Sequence, residues 1–338
     1  MPLFDDFGNI PVATLARPGQ FDQTGDLNAA AVIEYNTTVE HTIARASKLS
    51  GMIPMRSVRG TNKIGSYGFG KSTVQKLSVG EAPPATPVDI GRNTLTVDTV
   101  VLTRHALPML EVFQTSYDAR QELGIEDGTE IAKFVDQAFF IQAAKAAMLT
   151  DSAYSSVLNK PAGMFGGNIE TLAAAGDRTD PAKLYQAIRN LFVKFEQKDV
   201  VPHMDDLMVA LQPAEFYTLQ DAEQIVNGNY ITSTGNKLEN IPLFKAFGCP
   251  VVSSNNIPKT LVAGHHLSNA NNGNAYDGDF TKLVGQVFSA KALLAGETIP
   301  LESDIFFDKI LKTWFVDSHM SFGVTPDRAE YAGAILLP

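Results

Sequence analysis

Residues 51–105 constrain the fold more than any other part of the chain, because this long run has very little to bury. Seven glycines and four prolines interrupt short stretches in which polar and apolar residues alternate, such as 72–77 and 94–100. Alternation of this kind predicts β-strands with one face in water. Because a strand pair with so little apolar surface is marginal alone, we expect this run, called the excursion below, to lie on a neighbouring copy of the chain.

The excursion also contains a phosphate-loop pattern, G-x-x-x-x-G-K-[ST], at residues 65–72. A working site of this type needs a buried strand entering the loop and a helix leaving it. Residues 59–64 are polar, and residues 73–80 are rich in β-branched residues and alternate, which is poor helix sequence. We therefore interpret the pattern as a chance match in a hairpin, and keep a P-loop nucleotide hydrolase as the alternative from a different functional class.

Composition and charge exclude several kinds of protein. The formal charge is −10 with a hydrophobic content of 44%, and this acidic balance argues against a surface that grips DNA or RNA. A negative net charge is instead favourable for a protein that encloses nucleic acid without binding it specifically. The single cysteine, Cys249, excludes an internal disulfide.

No targeting or membrane segment is expected. The first residues include Asp5 and Asp6, where a signal peptide would carry basic residues. No apolar run approaches the roughly 18–20 residues that a bilayer requires. We expect a soluble cytosolic product with no membrane partner.

A long apolar helix is predicted from Glu130 to Thr150, with Asp127 or Thr129 as its N-cap. Apolar residues cover more than one face of this segment, so the helix should be packed on several sides as a central spine.

The C-terminal half reads as a mixture of helices and strands. Asp180 followed by Pro181 is a strong signal for the start of a second helix. A buried strand at 207–211, a helix at 213–227 and a strand at 249–254 then predict an α/β subdomain. The segments around residues 298–322 alternate and predict further strands.

The chain lacks convincing catalytic or metal-binding constellations. His265 and His266 lie near Asp277 and Asp279, but adjacent histidines in an Asn- and Gly-rich loop (residues 264–280) are more often solvated than ligands. The run 317–319 holds Asp, Ser and His, yet neighbours along a strand point to opposite faces, which is not the geometry of a catalytic triad. We expect no cofactor, no metal and no enzymatic activity.

The tail 322–336, FGVTPDRAEYAGAIL, carries the most specific family signal. It resembles the closing G-x-x-P-x-x-A-G-A-I run of major capsid proteins of tailed double-stranded DNA bacteriophages, and the similarity is greatest to the short-tailed podoviruses. Gly70-Lys71-Ser72 through Val79-Gly80-Glu81, and Asp118-Ala119-Arg120 ahead of the spine helix, follow the order of the same family.

This resemblance implies an α+β fold divided into five parts. They are an N-terminal arm (1–50), an extended β-hairpin E-loop (51–105), a P-domain with the spine helix (106–180), an α/β A-domain (181–292) and return strands of the P-domain (293–338). It further implies a virion protein, assembled in the host cytoplasm, that forms hexamers and pentamers of an icosahedral shell around DNA. The implied partners are other copies of the chain, a scaffolding protein, a portal and a decoration protein. An encapsulin-type compartment shell protein is the close alternative.

The charges of the excursion predict where copies meet. The excursion is basic in an otherwise acidic chain, and we expect its cations to pair with acids at the start of the spine helix of an adjacent copy. The residues of this predicted subunit interface are Arg56, Arg59, Lys63, Lys71 and Lys76 on one side and Glu122, Glu126 and Asp127 on the other.

Overall fold

The computed structural model describes residues 35, 37–43, 47, 49, 52–72, 74–77, 79–80, 90–108, 120–154, 163–202, 204–221 and 244–338. The chain divides into two compact units. The first contains Met1–Ser47, Val100–Lys133 and Ile299–Ser321, and the second contains Lys48–Thr99, Phe134–Thr298 and Phe322–Pro338. Most of the predicted N-terminal arm lies outside the described residues.

The described elements alternate between strands and helices in no simple repeat. The helices are α1 (Arg120–Met148), α2 (Pro181–Gln197) and α3 (Pro213–Gln220), and residues 37–43 are also helical. The strands are β1 (Arg56–Ser57), β2 (Lys63–Phe69), β3 (Ile90–Thr96), β4 (Val101–Pro108), β5 (Asn168–Thr171), β6 (Met208–Leu211), β7 (Phe244–Ala246), β8 (Cys249–Ser253), β9 (Leu261–Val262), β10 (Gly278–Asp279), β11 (Leu283–Phe288), β12 (Leu293–Asp308), β13 (Thr313–Pro326) and β14 (Ala332–Leu336).

A six-stranded sheet in the order β5-β14-β11-β6-β8-β7 forms the centre of the second unit. Strands β6 and β8 run parallel, as expected for strands joined through a helix, and β11 is antiparallel to both of its neighbours. Every residue of β6 and β11 is buried. Helix α2 covers one face of this sheet with Leu184, Ile188, Leu191 and Phe195. The strands predicted at 207–211 and 249–254 are confirmed as β6 and β8, whereas the helix predicted over 213–227 ends at Gln220.

Helix α2 begins where local chemistry places it. The Asp180 carboxylate accepts hydrogen bonds from the backbone N–H groups of Ala182 at 2.9 Å and Lys183 at 3.4 Å. Pro181 follows in the first turn, where its missing N–H costs nothing. The predicted start at Asp180 and Pro181 is confirmed.

Helix α1 is 29 residues long and begins at Arg120, ten residues before the predicted start at Glu130. The prediction was wrong at this end because Gly124 and Gly128 lower helix propensity. Tertiary packing overrides that penalty: the two glycines lie against Tyr35 and Thr42 of the helical segment near residues 37–43. The apolar second half of α1 is buried along Ile131–Ala147, which confirms the central, many-sided packing of this helix.

The first unit is built on antiparallel strands covered by helices on one face. β13 pairs with β4 from Thr313↔Pro108 to Met320↔Val101, and β12 is the neighbour of β13 on its other side. Tyr35, Val39, Ile305 and Val316 form the buried cluster between the strands and the helical segment. The alternating segments predicted around residues 298–322 are therefore strands.

The excursion folds as a hairpin, but its strands differ from the predicted ones. β2 pairs with β3 from Lys63↔Thr96 to Phe69↔Ile90. The alternating stretch 72–77 is not a strand in its described part, and only the first residues of the stretch 94–100 lie in β3. The glycines of β2 make this strand hard to predict from propensity, whereas the strand-like composition of 72–77 does not produce a strand in the described residues of that stretch.

Candidate assembly interface

The base of the excursion packs on its own chain. Ile64 of β2 and Leu95 of β3 face each other across the hairpin and join a cluster with Val58, Val97 and Leu294. Leu95 is only 4% exposed. The expectation that the whole excursion lacks apolar contacts within its own chain is therefore wrong for its base.

A polar network fastens the same inner face. The Tyr154 hydroxyl donates to the Asp327 carboxylate at 2.6 Å, and Ser66 of β2 donates to the other Asp327 oxygen at 3.2 Å. Burial, together with the hydrogen bond to Asp327, raises the pKa of Tyr154 to about 12, so its hydroxyl stays a donor at neutral pH. On the neighbouring strand, Asn93 donates its side-chain N–H to the Pro326 carbonyl at 2.6 Å.

The outer face of the hairpin is uncovered in the described part of the chain. Tyr67 and Phe69 of β2 are 58% and 61% exposed, and Ile90, directly opposite Phe69, is 58% exposed. Beyond the strands, Val74 and Val79 are fully exposed to solvent and Leu77 is largely exposed. Monomeric proteins rarely expose so many neighbouring apolar side chains, and such patches mark interaction surfaces.

The five predicted cations all lie on exposed positions of the excursion. Lys71 pairs with Asp199 of its own chain at 2.7 Å, an exposed ion pair of small energetic value. None of the remaining four forms an ion pair with a residue that the structure describes; these are Arg56, Arg59, Lys63 and Lys76. Residues 52–80 contain no acidic residue at all, so the field around this segment is uniformly positive.

Two of the three predicted acids lie on the surface. Glu122 and Glu126 are exposed in the first turns of α1, with Ile125 between them at 47% exposure. Asp127 is only 2% exposed, so its prediction as a surface acid is wrong.

Asp127 instead serves as an internal acceptor in the first unit. The Tyr35 hydroxyl donates to one carboxylate oxygen, and the other oxygen lies 2.8 Å from the His105 Nε2 atom. Burial and this hydrogen bond raise the pKa of Tyr35. Because Asp127 is buried and both of its oxygens have internal partners, its carboxylate is not accessible to another copy.

The phosphate-loop pattern has the wrong geometry for nucleotide. Gly65–Phe69 lie in the extended strand β2, with every residue from Lys63 to Phe69 paired to β3. The described residues that follow, 70–72 and 74–77, contain no helical turn whose N-terminus could face a phosphate.

The polar loop 264–280 is built as a structural unit. His265 stacks on Phe134 and Tyr276 with ring centroids 5.1 and 5.2 Å apart. Asp277 accepts hydrogen bonds from the backbone of Gly264 and His265, at 3.0 and 3.1 Å, and from a side chain of the loop. Among the described residues no cluster of histidine, cysteine and acidic side chains could hold a metal ion.

The Asp317-Ser318-His319 run has the geometry predicted for strand neighbours. Asp317 lies opposite Arg104 and accepts its guanidinium at 2.5 Å, whereas Ser318 bonds to Tyr35 on the other face of the strand. The three side chains therefore do not converge.

No helix in the described ranges is long and apolar enough to cross a membrane.

No protein-family model matches the sequence, and no curated protein does either. Several solved structures are similar in fold. The capsid of cyanophage P-SCSP1u has a TM-score of 0.69 and 17% identity over 85% of this chain and 86% of that chain. The mature capsid of bacteriophage PhiM1 has a TM-score of 0.70 and 20% identity over 86% and 87%.

A virus-like particle from Pyrococcus furiosus is also similar, with a TM-score of 0.53 and 7% identity over 91% of this chain and 99% of that chain. At these identities the likeness establishes the fold. The chain has the α+β fold of phage capsid subunits, as its sequence predicts, and its placement among the short-tailed phages stays a prediction.

Proposed function

We propose that this chain is the structural major capsid subunit of a tailed bacteriophage, assembling into hexamers and pentamers of an icosahedral shell around double-stranded DNA. The fold it shares with the two phage capsids, over more than four fifths of their chains, supports this assignment. The chain acts as a building block and not as an enzyme.

The observation that carries the proposal is the outer face of the excursion. The outer apolar residues of this hairpin, Tyr67, Phe69 and Ile90, are more than half exposed. A monomeric soluble protein rarely exposes a group of large apolar side chains in this way. Interfaces that hold subunits together bury such residues at their centre and keep charges at the rim. The excursion has this composition, with lysines and arginines around the apolar residues.

The partner that the excursion requires is acidic, and the rest of the chain is acidic. The formal charge of the whole chain is −10, whereas residues 52–80 carry only positive charge. Copies of the chain can therefore attract one another through opposite surfaces. Arg56, Arg59, Lys63, Lys71 and Lys76 form the basic side of this proposed contact, and Glu122 and Glu126 supply acids on the adjacent copy.

The net negative charge of the chain also agrees with a shell that encloses DNA without binding it specifically. The proposal includes the division of the chain into N-terminal arm, E-loop, P-domain and A-domain. It also includes assembly in the host cytoplasm on a scaffolding protein and portal, followed by addition of a decoration protein.

A compartment shell protein of the encapsulin type is the second candidate, because the Pyrococcus furiosus particle shares the fold. Neighbouring genes for a portal and a terminase would support the capsid, and a gene for a cargo enzyme would support the compartment.

Electron microscopy of the purified protein tests the proposal. Wild-type protein should form closed shells of uniform diameter, whereas Lys63→Glu/Lys76→Glu should stay unassembled with an unchanged circular dichroism spectrum. The matched control Lys183→Glu/Arg189→Glu makes the same charge change at exposed positions of α2 and should assemble. Wild-type protein that stays monomeric under all assembly conditions would overturn the proposed function.

A further inference from the structure

A pocket of about 510 Å³ opens at the base of the excursion, and three separate stretches of the second unit line it. One wall comes from residues between 54 and 67, a second from residues within 290–295, and a third from residues 327–328. Sites that bind small organic molecules usually have volumes of roughly 300–1,000 Å³. We call this site the excursion pocket.

Hydrogen bonds hold the three walls of the excursion pocket together. The backbone N–H of Asp327 donates to the Ala292 carbonyl at 2.8 Å, which joins the second wall to the third. The Ser66 hydroxyl donates to the Asp327 carboxylate at 3.2 Å, which joins the first wall to the third. Strand β1 pairs with β12 at Arg56↔Gly296, which joins the first wall to the second. The pocket is therefore formed before a ligand arrives, and this lowers the entropy cost of binding.

The excursion pocket is positively charged. Three of its lining residues are cationic and exposed, namely Arg56, Lys291 and Arg328. Lys291 lies 2.7 Å from the Asp205 carboxylate, which offsets one of the three charges. Neither arginine forms an ion pair with a residue that the structure describes. The two guanidinium groups therefore keep charge and hydrogen-bond donors for a ligand.

Asp327 is the one acid among the described residues that line the pocket, and it is buried. Its two carboxylate oxygens accept hydrogen bonds from Tyr154 at 2.6 Å and from Ser66 at 3.2 Å. Because this carboxylate has its partners inside the wall, the exposed cations dominate the surface that a ligand meets. The pocket has this positive charge in a chain whose formal charge is −10.

We infer that the excursion pocket binds a phosphate ester of nucleotide size. A phosphate monoester carries a charge of about −1.5 to −2 at pH 7 and three acceptor oxygens. Guanidinium groups donate to such oxygens through two parallel hydrogen bonds. The apolar part of the lining, which includes Pro54, Leu293 and Leu294, offers a surface to the organic group of the ester. Inorganic phosphate alone would leave most of the pocket unfilled.

A carboxylate is the competing ligand, because a guanidinium also binds carboxylates through two parallel hydrogen bonds. A carboxylate brings a single negative charge and two oxygens. The three cations of the pocket outnumber these oxygens, so a phosphate uses more of the available donors. A free nucleotide and a nucleotide within a DNA strand share this phosphate chemistry, and the experiment below separates them.

The excursion pocket is distinct from the phosphate-loop pattern at residues 65–72. Of those residues, Ser66 and Tyr67 line the pocket and Lys71 does not. A phosphate loop would bind its ligand through Lys71 and the backbone of a glycine-rich turn, whereas the pocket would use side chains at positions 56, 291 and 328. The inference goes beyond the proposed function, because the pocket belongs to a single unassembled subunit.

Isothermal titration calorimetry of unassembled subunits with adenosine monophosphate (AMP) tests the inference. Wild-type protein should bind AMP, and it should bind adenosine about tenfold more weakly, because hydrogen bonds to a charged group are the stronger ones. Arg56→Ala/Arg328→Ala should lower the affinity for AMP by about tenfold for the same reason. Arg56→Lys/Arg328→Lys keeps both charges without the guanidinium fork, so its affinity should lie between these two proteins.

The matched control, Arg59→Ala/Lys71→Ala, removes two exposed cations of the same excursion that do not line the pocket. It should bind AMP as wild type does. A loss equal to that of Arg56→Ala/Arg328→Ala would overturn the inference, since the phosphate loop or the general positive field of the excursion would then hold the ligand. Equal affinity for AMP and adenosine, tighter binding of glutarate than of AMP, or no AMP binding by wild-type protein would also overturn it.

Competition identifies the source of the ligand. Displacement of bound AMP by a single-stranded DNA of about ten nucleotides would assign the pocket to a nucleotide of a strand, and failure to displace it would assign the pocket to a free nucleotide.

Folding of each variant is checked by circular dichroism. If Arg56→Ala/Arg328→Ala does not fold, the lysine variant and the wild-type comparison of AMP with adenosine decide the question. Lys63 and Lys76, whose substitution tests assembly, do not line the pocket. Failure of AMP binding and failure of the proposed function are therefore distinguishable.

Discussion

Gly128 sits at the closest approach of helix α1 to the helical segment near residues 37–43, and replacing it by alanine is a sharp test of the first unit. The added Cβ would lie 2.8 Å from the Thr42 Cβ and 2.9 Å from the Val39 carbonyl oxygen. Neither atom is the end of a flexible side chain. The two helices would have to separate to admit the methyl group.

The magnitude follows from two opposing effects. Overpacking of a close contact costs about 1–3 kcal/mol, and a site bounded by a backbone oxygen falls at the upper end. Alanine stabilises a helix by about 1 kcal/mol relative to glycine. We expect Gly128→Ala to lower the free energy of unfolding by about 2 kcal/mol. The same substitution at a solvent-exposed glycine in a helix would instead raise the free energy of unfolding.

Denaturant unfolding of unassembled subunits, monitored by circular dichroism, measures this difference. Gly124→Ala is the matched control in the same helix, because its Cβ would lie 3.2 Å from the Tyr35 ring and only side-chain atoms would need to move. Its effect should be close to zero or stabilising. A Gly128→Ala subunit as stable as wild type would show that the described contact between the helices is absent in solution.

Burial lowers the pKa of His265, and the Nδ1 atom of this residue accepts the backbone N–H of Leu267 at 3.2 Å. The folded state therefore keeps the imidazole neutral at a pH just below 6.5, the ordinary pKa of histidine, where the unfolded chain binds a proton. The free energy of unfolding should therefore fall as the pH drops below 6.5, and NMR titration should place the pKa of His265 below that value; a value at or above 6.5 would contradict the stacked, buried ring. Asp180→Ala removes the N-cap of α2 and should lower the free energy of unfolding by about 0.5–2 kcal/mol, whereas Asp180→Ser should retain most of it. Equal stability of the two Asp180 variants in thermal unfolding would show that the cap contributes nothing.

Elements specified by local chemistry could be predicted from the sequence. The start of α2 depends on Asp180 and Pro181, which act on their own first turn. The strand predicted at 207–211 corresponds to β6 because a short apolar run beside a helix start allows few other structures. Family resemblance supplied the architecture, and the shared fold with phage capsids confirms it.

Features that depend on distant partners could not be predicted. Asp127 was placed on the surface because its partners, Tyr35 and His105, lie 92 and 22 residues away in the chain. The first turns of α1 contain two glycines, which disfavour a helix by propensity, and the segment that packs against them is distant in the sequence. The pairing between the alternating stretches of the excursion depends on strand register, and glycine-rich strands specify register weakly.

Hydrogen exchange at residues 70–77, compared between free subunits and assembled shells, tests the central claim most directly. In the free subunit the described amides of this segment lie outside any strand or helix and should exchange rapidly. If the excursion docks on another copy, these amides should become strongly protected in the shell. Shells that form while residues 70–77 exchange as fast as in the free subunit would contradict the account.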